Sequence, residues 1–340
     1  MRTDDFDYDL QPSFIAQHPA QPRDSSRLMV LDRGTGAIAH GVFRDLPKYL
    51  KPGDILVVNQ TRVLPARLQA RKQPHGGRVE ILLLRRLEPR LWEVIVGGRG
   101  VGLGTVVGVE GGPRGVIEAV GDGAVRRIRF DEPISPLLET IGAVPLPPYI
   151  HEPLRDPSDY QTVFARHPGS AAAPTAGLHF TPSLLQSIEE AGVTLVRVLL
   201  HVGLDTFAPV DEDDPREHRI HREYCELDET TAQAVNRARR AGGRVVAVGT
   251  TTVRALETAA RVAGPGTTVA PFAGETDLLI LPGHTFHAVD LMITNFHLPR
   301  STLLMLVSAF AGRERILAAY ETAKAEGYRF YSFGDAMLIV

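Results

Sequence analysis

The chain has 340 residues, 44% hydrophobic and 23% charged, with one cysteine and a formal net charge of −3. That length suggests about two domains with a sizeable core, and the composition is that of an ordinary soluble globular protein. The lone Cys225 excludes an intrachain disulfide, no apolar run reaches the roughly 18–20 residues that span a bilayer, and the acidic start MRTDDFDYDL is unlike a secretory signal. The chain is therefore expected in the cytoplasm.

The first elements are SRLMVLD and DILVVN, short β-branched runs bounded by Gly, Pro and Asp that read as strands. Arg62, Arg67, Arg71, Lys72, Arg78, Arg85, Arg86 and Arg90 then crowd together, with only Glu80 and Glu88 among them. Such a stripe faces either phosphates or solvent, and a charge run by itself favours the solvated face. Over residues 68–130 the segments RVEILLLRR, LWEVIVGG, TVVGVEG, GVIEAVG and VRRIRF follow one another at short spacing. Regular short strands with glycine turns predict a small antiparallel barrel or sandwich. The glycines of GGRGVGLG have no G-x-G-x-x-G spacing and read as turn and bulge positions. Beyond residue 150, SLLQSIEEAG and ETTAQAVNRARRAGG read as helices. They alternate with the strand runs TLVRVLLHV, RVVAVGTT and DLLILPG before the apolar STLLMLVSAFAG. The predicted class is α/β. A sequence-discontinuous layered α/β domain (residues 1–67 and 147–340) carries an inserted small antiparallel β-barrel domain (residues 68–146).

Four stretches carry candidate chemistry. In PTAGLHFT, small residues around Thr175 and Gly177 admit close backbone approach beside His179, which can move a proton. In RVVAVGTTTVRALE, an apolar strand ends in Gly249 and an amphipathic helix follows at once. The hydroxyls of Thr250 and Thr251 can cap that helix, and its free N–H groups make an anion site. EHRIHREYCE gathers His218, His221, Glu223 and Cys225 without paired metal-binding spacing, so a polar contact or structural network is favoured over a metal. TNFHLPRST sets Asn295 and His297 before an apolar helix, and Asp335 lies between Gly334 and an apolar strand. An Asp so placed either orients a turn or serves a site.

These stretches, with FDYDL, GDILVVNQTRVLPARL, PLPPYI, YQTVFARHPGSAAAP and HVGLDTFAPV, run in order from residue 6 to residue 339. Together they resemble the S-adenosylmethionine:tRNA ribosyltransferase-isomerases of queuosine biosynthesis. The resemblance implies that S-adenosylmethionine is a consumed co-substrate and that no metal takes part. Its ribosyl portion passes to 7-aminomethyl-7-deazaguanine at the tRNA wobble position and is isomerised, giving epoxyqueuosine with loss of adenine and methionine. The implied partner is that tRNA, and the chain is expected to act as a monomer. Such chemistry needs a base at the C5′ proton, a donor at the purine and a group for the methionine carboxylate. On the matching motifs, His179, His297 and Asp335 are the catalytic candidates. Arg62, Arg67, Tyr160, Thr175, Gly177, Glu223, Thr250, Thr251 and Asn295 are the substrate-binding candidates. The chain departs from the family pattern at Gln60, Leu200, Asp205, Ala208 and Ile220. Asp205 and Ala208 remove positive charge near an anionic partner, which leaves open a divergent paralogue using the same ribosyl donor on another acceptor.

Overall fold

The computed structural model describes residues 1–74, 76–203 and 209–340, so Asp205 and Ala208 lie outside the described residues. The chain divides into two compact units. One comprises Met1–Arg62, Pro148–His167 and Ala173–Val340; the other comprises Val63–Pro147 and Pro168–Ala172.

The larger unit is built on a nine-stranded mixed sheet. Its order is Phe272–Thr276, Glu223–Leu227, Thr194–Leu200, Ile55–Asn59, Val245–Val248, Leu291–Asn295, Ala336–Ile339, Arg27–Leu31 and Ile38–Val42. The central strands Ile55–Asn59, Val245–Val248 and Leu291–Asn295 are buried along their whole length. Near-continuous Val, Ile and Leu runs suit strands covered on both faces. Thr194–Leu200, Ile55–Asn59, Val245–Val248 and Leu291–Asn295 are mutually parallel, so all four end at the same edge. Ala336–Ile339 runs antiparallel to Leu291–Asn295 with Ala336 opposite Asn295, and Arg27–Leu31 runs parallel to it with Leu28 opposite Ala336. Ser26 and Asp335, each just before a strand, therefore arrive at the edge where Asn59, Gly249 and Asn295 leave. In open α/β sheets this carboxyl edge is where ligands bind.

Helices Pro182–Glu190, Glu229–Arg240 and Thr302–Ala311 each start on a side-chain cap: Thr181, Asp228 and Ser301 accept from Leu184, Thr231 and Leu304 N–H respectively. One core cluster joins Leu28, Phe43, Leu56, Phe180, Val246 and Ile293. The segment DLLILPG, expected as a strand, forms none; strands Phe272–Thr276 and Leu291–Asn295 flank it. Its Leu278 and Ile280 are buried all the same, which is what its apolar run reported.

The smaller unit is a closed six-stranded antiparallel barrel. Arg67–Lys72, Arg78–Arg86, Leu91–Gly97, Val125–Phe130, Arg114–Val120 and Val106–Val109 pair in that order, and the last pairs back onto the first. Alternate residues point inward, so Val79, Ile81 and Leu83 of one strand and Trp92, Val94 and Val96 of the next fill the lumen. Closure leaves no edge to manage, and the α/β class with an antiparallel barrel agrees with the sequence expectation. Several stripe arginines lie in ion pairs between barrel strands or with neighbouring loops: Arg67 with Glu80 at 3.7 Å, Arg71 with Glu110 at 3.1 Å and Arg85 with Glu93 at 3.9 Å.

Candidate active site

A cleft of about 490 Å³ opens at the carboxyl edge of the large sheet. Its wall includes Tyr149, Thr175, Thr250, Thr251, Thr294, Asn295, His297, Tyr331 and Ser332. Five of the sequence candidates thus come together: Thr175, Thr250, Thr251, Asn295 and His297.

Asn295 ends its parallel strand and is 2% exposed. Its Nδ2 donates to the Tyr331 carbonyl at 3.1 Å and lies 3.3 Å from His179 Nε2. A carbonyl oxygen only accepts, so the amide nitrogen must face Tyr331, and His179 Nε2 must then be the acceptor. The proton of this imidazole consequently sits on Nδ1, which donates to Ser26 Oγ at 2.7 Å. Asn295 Oδ1 is left buried with no protein partner. Asn295 is one of the residues of the cleft wall, and a buried polar atom without a partner is uncommon in a folded protein.

His179 itself does not line the cleft. It ends the short 3₁₀ helix Thr175–His179, stacks its ring 4.9 Å from that of Phe43 and is 4% exposed. Burial lowers its pKa to about 4, against the opposing pull of Asp335. Gly177, read as room for a ligand, serves packing instead. A Cβ there would stand 2.7 Å from Phe164 Cζ and 2.8 Å from Thr162 Cγ2.

His297 lines the cleft and is 7% exposed. Its backbone is pinned from two sides. The N–H donates to the Tyr320 hydroxyl at 2.9 Å, and the carbonyl accepts from the Tyr8 hydroxyl. Its Nε2 shares a hydrogen bond of 2.7 Å with Thr294 Oγ1, which also lies 3.3 Å from the Asn295 carbonyl. Burial alone lowers the His297 pKa to about 3, so the ring is neutral at physiological pH. When Thr294 donates to that carbonyl and accepts from Nε2–H, the Nδ1 lone pair of His297 is free to accept a proton.

Helix Thr250–Arg261 begins on Gly249, at φ +88° and with no side-chain cap. The expected threonine caps are therefore corrected. Thr252 Oγ1 donates back to the Val248 carbonyl at 2.6 Å, and Thr251 Oγ1 accepts from Asn59 Nδ2 at 3.2 Å. The N–H groups of Thr252 and Val253 donate to the Gly249 carbonyl at 3.1 and 3.2 Å, which leaves those of Thr250 and Thr251, two residues of the cleft wall, without a bond among the described residues.

The other candidates lie elsewhere. Asp335 is a turn-maker: its Oδ1 accepts from Arg27 N–H at 3.0 Å and its Oδ2 from Arg329 N–H at 2.8 Å. Tyr160 is fully buried, edge-on to Phe333, and does not line the cleft. Arg62 is exposed, and Arg67 belongs to a barrel strand. Glu223 is buried on its strand, accepts from Gly203 N–H at 2.8 Å, pairs with Arg254 and lines a second cleft. Among the described residues, no three His, Cys, Asp or Glu side chains gather as a metal site. Sequence reasoning missed Ser26, Tyr149, Tyr331 and Ser332. Tyr331 holds φ at 68°, unusual outside glycine, and its ring lies 4.8 Å from that of Tyr149, whose hydroxyl bonds Ser332 Oγ at 2.7 Å. Backbone strain of this kind collects at functional sites.

The queuosine biosynthesis protein family model matches residues 3–339. The chain belongs to that family. It is 53% identical to the S-adenosylmethionine:tRNA ribosyltransferase-isomerase of Symbiobacterium thermophilum and 54% identical to that of Carboxydothermus hydrogenoformans, covering 100% of both chains in each case. Among solved structures it is similar to the S-adenosylmethionine tRNA ribosyltransferase of Thermotoga maritima. That match has 39% identity and a TM-score of 0.58, and it covers 99% of this chain and 100% of the other. Family membership thus agrees with the resemblance carried by the motifs, and the chain is a transferase of queuosine biosynthesis.

Proposed function

We propose that the chain transfers and isomerises the ribosyl moiety of S-adenosylmethionine onto 7-aminomethyl-7-deazaguanine in the tRNA wobble position, giving epoxyqueuosine and releasing adenine and methionine. The observation that carries this reading is the pairing, on one cleft wall, of an unpartnered Asn295 Oδ1 with a neutral, backbone-pinned His297. Breaking the C5′–sulfur bond starts with removal of a C5′ proton that the sulfonium acidifies. His297, uncharged and on the cleft wall, is the base for that proton, a weak one while burial holds its pKa down to about 3. Asn295 Oδ1 accepts from an N–H or O–H of the donor nucleoside and fixes its angle in the cleft. The open amides of Thr250 and Thr251 suit the methionine carboxylate. Tyr149 and Tyr331 supply flat apolar surface against the purine.

The test is the fate of S-adenosylmethionine when the enzyme is incubated with tRNA bearing the deazaguanine precursor. Ribosyl transfer cuts both the glycosidic and the C5′–sulfur bond. Adenine and methionine should therefore appear in equal amounts, matched by a ribose-sized mass gain on the tRNA. S-adenosylhomocysteine as the main product would overturn the reading, since it retains both bonds.

A further inference from the structure

The cleft that contains Glu223 measures about 510 Å³ and shares Leu303 with the first cleft. Leu278, Ile280 and Leu306 give it an apolar side, and Glu223, Arg254, His218 and His221 a polar one. Arg254 is 4% exposed. Its Nε donates to the Leu278 carbonyl at 3.0 Å and its Nη1 to Glu223 Oε2, while Nη2 is buried with no acceptor. A buried guanidinium donor without a partner is costly, so the unused N–H marks where an acceptor belongs.

The kind of acceptor follows from charge. Glu223 already balances Arg254, and a carboxylate or phosphate approaching Nη2 would meet the Glu223 carboxylate. A neutral carbonyl oxygen meets no such repulsion, and the apolar side suits the face of a flat ring. We propose that this second cleft takes the heterocycle of the acceptor nucleoside, with its ring carbonyl oxygen on Arg254 Nη2. The assignment rests on the ribosyl-transfer reading above and deepens it. Transfer requires donor and acceptor to be held at once, and two clefts with Leu303 as a common wall provide for that.

Two acceptors decide the matter: a tRNA anticodon minihelix carrying 7-aminomethyl-7-deazaguanine, and the same minihelix whose modified base lacks the ring carbonyl oxygen. The wild-type enzyme should use the second with a KM roughly tenfold to a hundredfold higher, the loss of one charge-assisted hydrogen bond. Arg254→Lys keeps a cation for Glu223 but removes the planar fork. It should raise the KM for the natural minihelix by a similar factor, leave the dissociation constant for S-adenosylmethionine unchanged and abolish discrimination between the two acceptors. Equal KM values on the wild-type enzyme would overturn the proposal whether or not the variant folds. Weakened S-adenosylmethionine binding in Arg254→Lys would also overturn it, by placing the donor in this cleft. Absence of adenine release from the wild-type enzyme with the natural minihelix would instead bring down the ribosyl-transfer reading, and this assignment with it.

Discussion

His179 stands behind the cleft wall and reaches it only through Asn295. Its tautomer is dictated at one remove, because the Tyr331 carbonyl fixes the Asn295 amide, and the amide then fixes which imidazole nitrogen is bare. Removing the ring takes away one of the two partners of Nδ2 and leaves Asn295 held by the Tyr331 carbonyl alone. His179→Ala and Asn295→Ala should therefore each lower kcat/KM by about tenfold to a hundredfold. The double variant should be hardly worse than the worse single one, because the two act as a unit. Multiplying effects in steady-state assays would show that His179 acts independently, as a proton carrier. His297→Ala, by contrast, removes the proposed base and should depress turnover by about a hundredfold or more while changing S-adenosylmethionine binding far less.

Both histidines also tie stability to pH. Each is neutral when folded, with a pKa of about 4 for His179 and about 3 for His297. In the unfolded chain an ordinary histidine takes up a proton near pH 6.5. Acid therefore favours the unfolded state: the contribution is complete above about pH 6.5 and is lost as pH falls toward the folded values. Between pH 6.5 and 5 the loss is about 2 kcal/mol for each residue. Urea midpoints at pH 7.5 and 5.5 would measure it, and His297→Gln should reduce the slope by one proton. An unchanged slope would mean that His297 is already charged in the folded protein. The sequence made these two residues visible through their motifs and kept their roles hidden. Ser26 lies far from His179 in the chain and meets it only through the sheet order, while Tyr320 reaches the His297 backbone from helix Arg313–Ala325.

At the scale of elements, the regular strands were legible because β-branched runs such as DILVVN and RVVAV have no other good use in a layered fold. DLLILPG was misread because the side chains of a cleft wall are as apolar as those of a strand. Periodicity cannot separate the two cases over so short a run. The helix start at Gly249 was legible, yet its capping was not, since Asn59 draws the Thr251 hydroxyl aside from a neighbouring strand. The loop PTAGLHFT was recognised as special for an incomplete reason. Its Gly177 is needed because two side chains, Phe164 and Thr162, already fill the space of a methyl group. Gly177→Ala should destabilise the protein by about 1–3 kcal/mol through overpacking, read as a lower urea midpoint at unchanged m. A cost below about 0.5 kcal/mol would mean that the Phe164 ring swings away freely.

For the whole molecule the question is how a chain of net charge −3 holds a polyanion such as tRNA. Average charge opposes the encounter, so attraction must come from cations that no carboxylate has already neutralised. The barrel sorts its arginines on this basis. Arg71 is committed to Glu110 at 3.1 Å, and Arg129 to Glu118 at 2.6 Å and Glu88 at 2.9 Å. Arg86 and Arg90 are exposed, and no ion pair with a described residue holds either. If this surface meets the tRNA backbone, Arg86→Ala and Arg90→Ala should each flatten the dependence of log affinity on log salt by about one unit. Arg71→Ala should alter that slope by only about a few tenths, because its charge is already compensated. Filter binding at several salt concentrations separates these outcomes. An equal change for Arg71→Ala would show that the pair with Glu110 opens on binding. A slope untouched by all three substitutions would mean that the barrel arginines face solvent and that the tRNA contacts lie elsewhere.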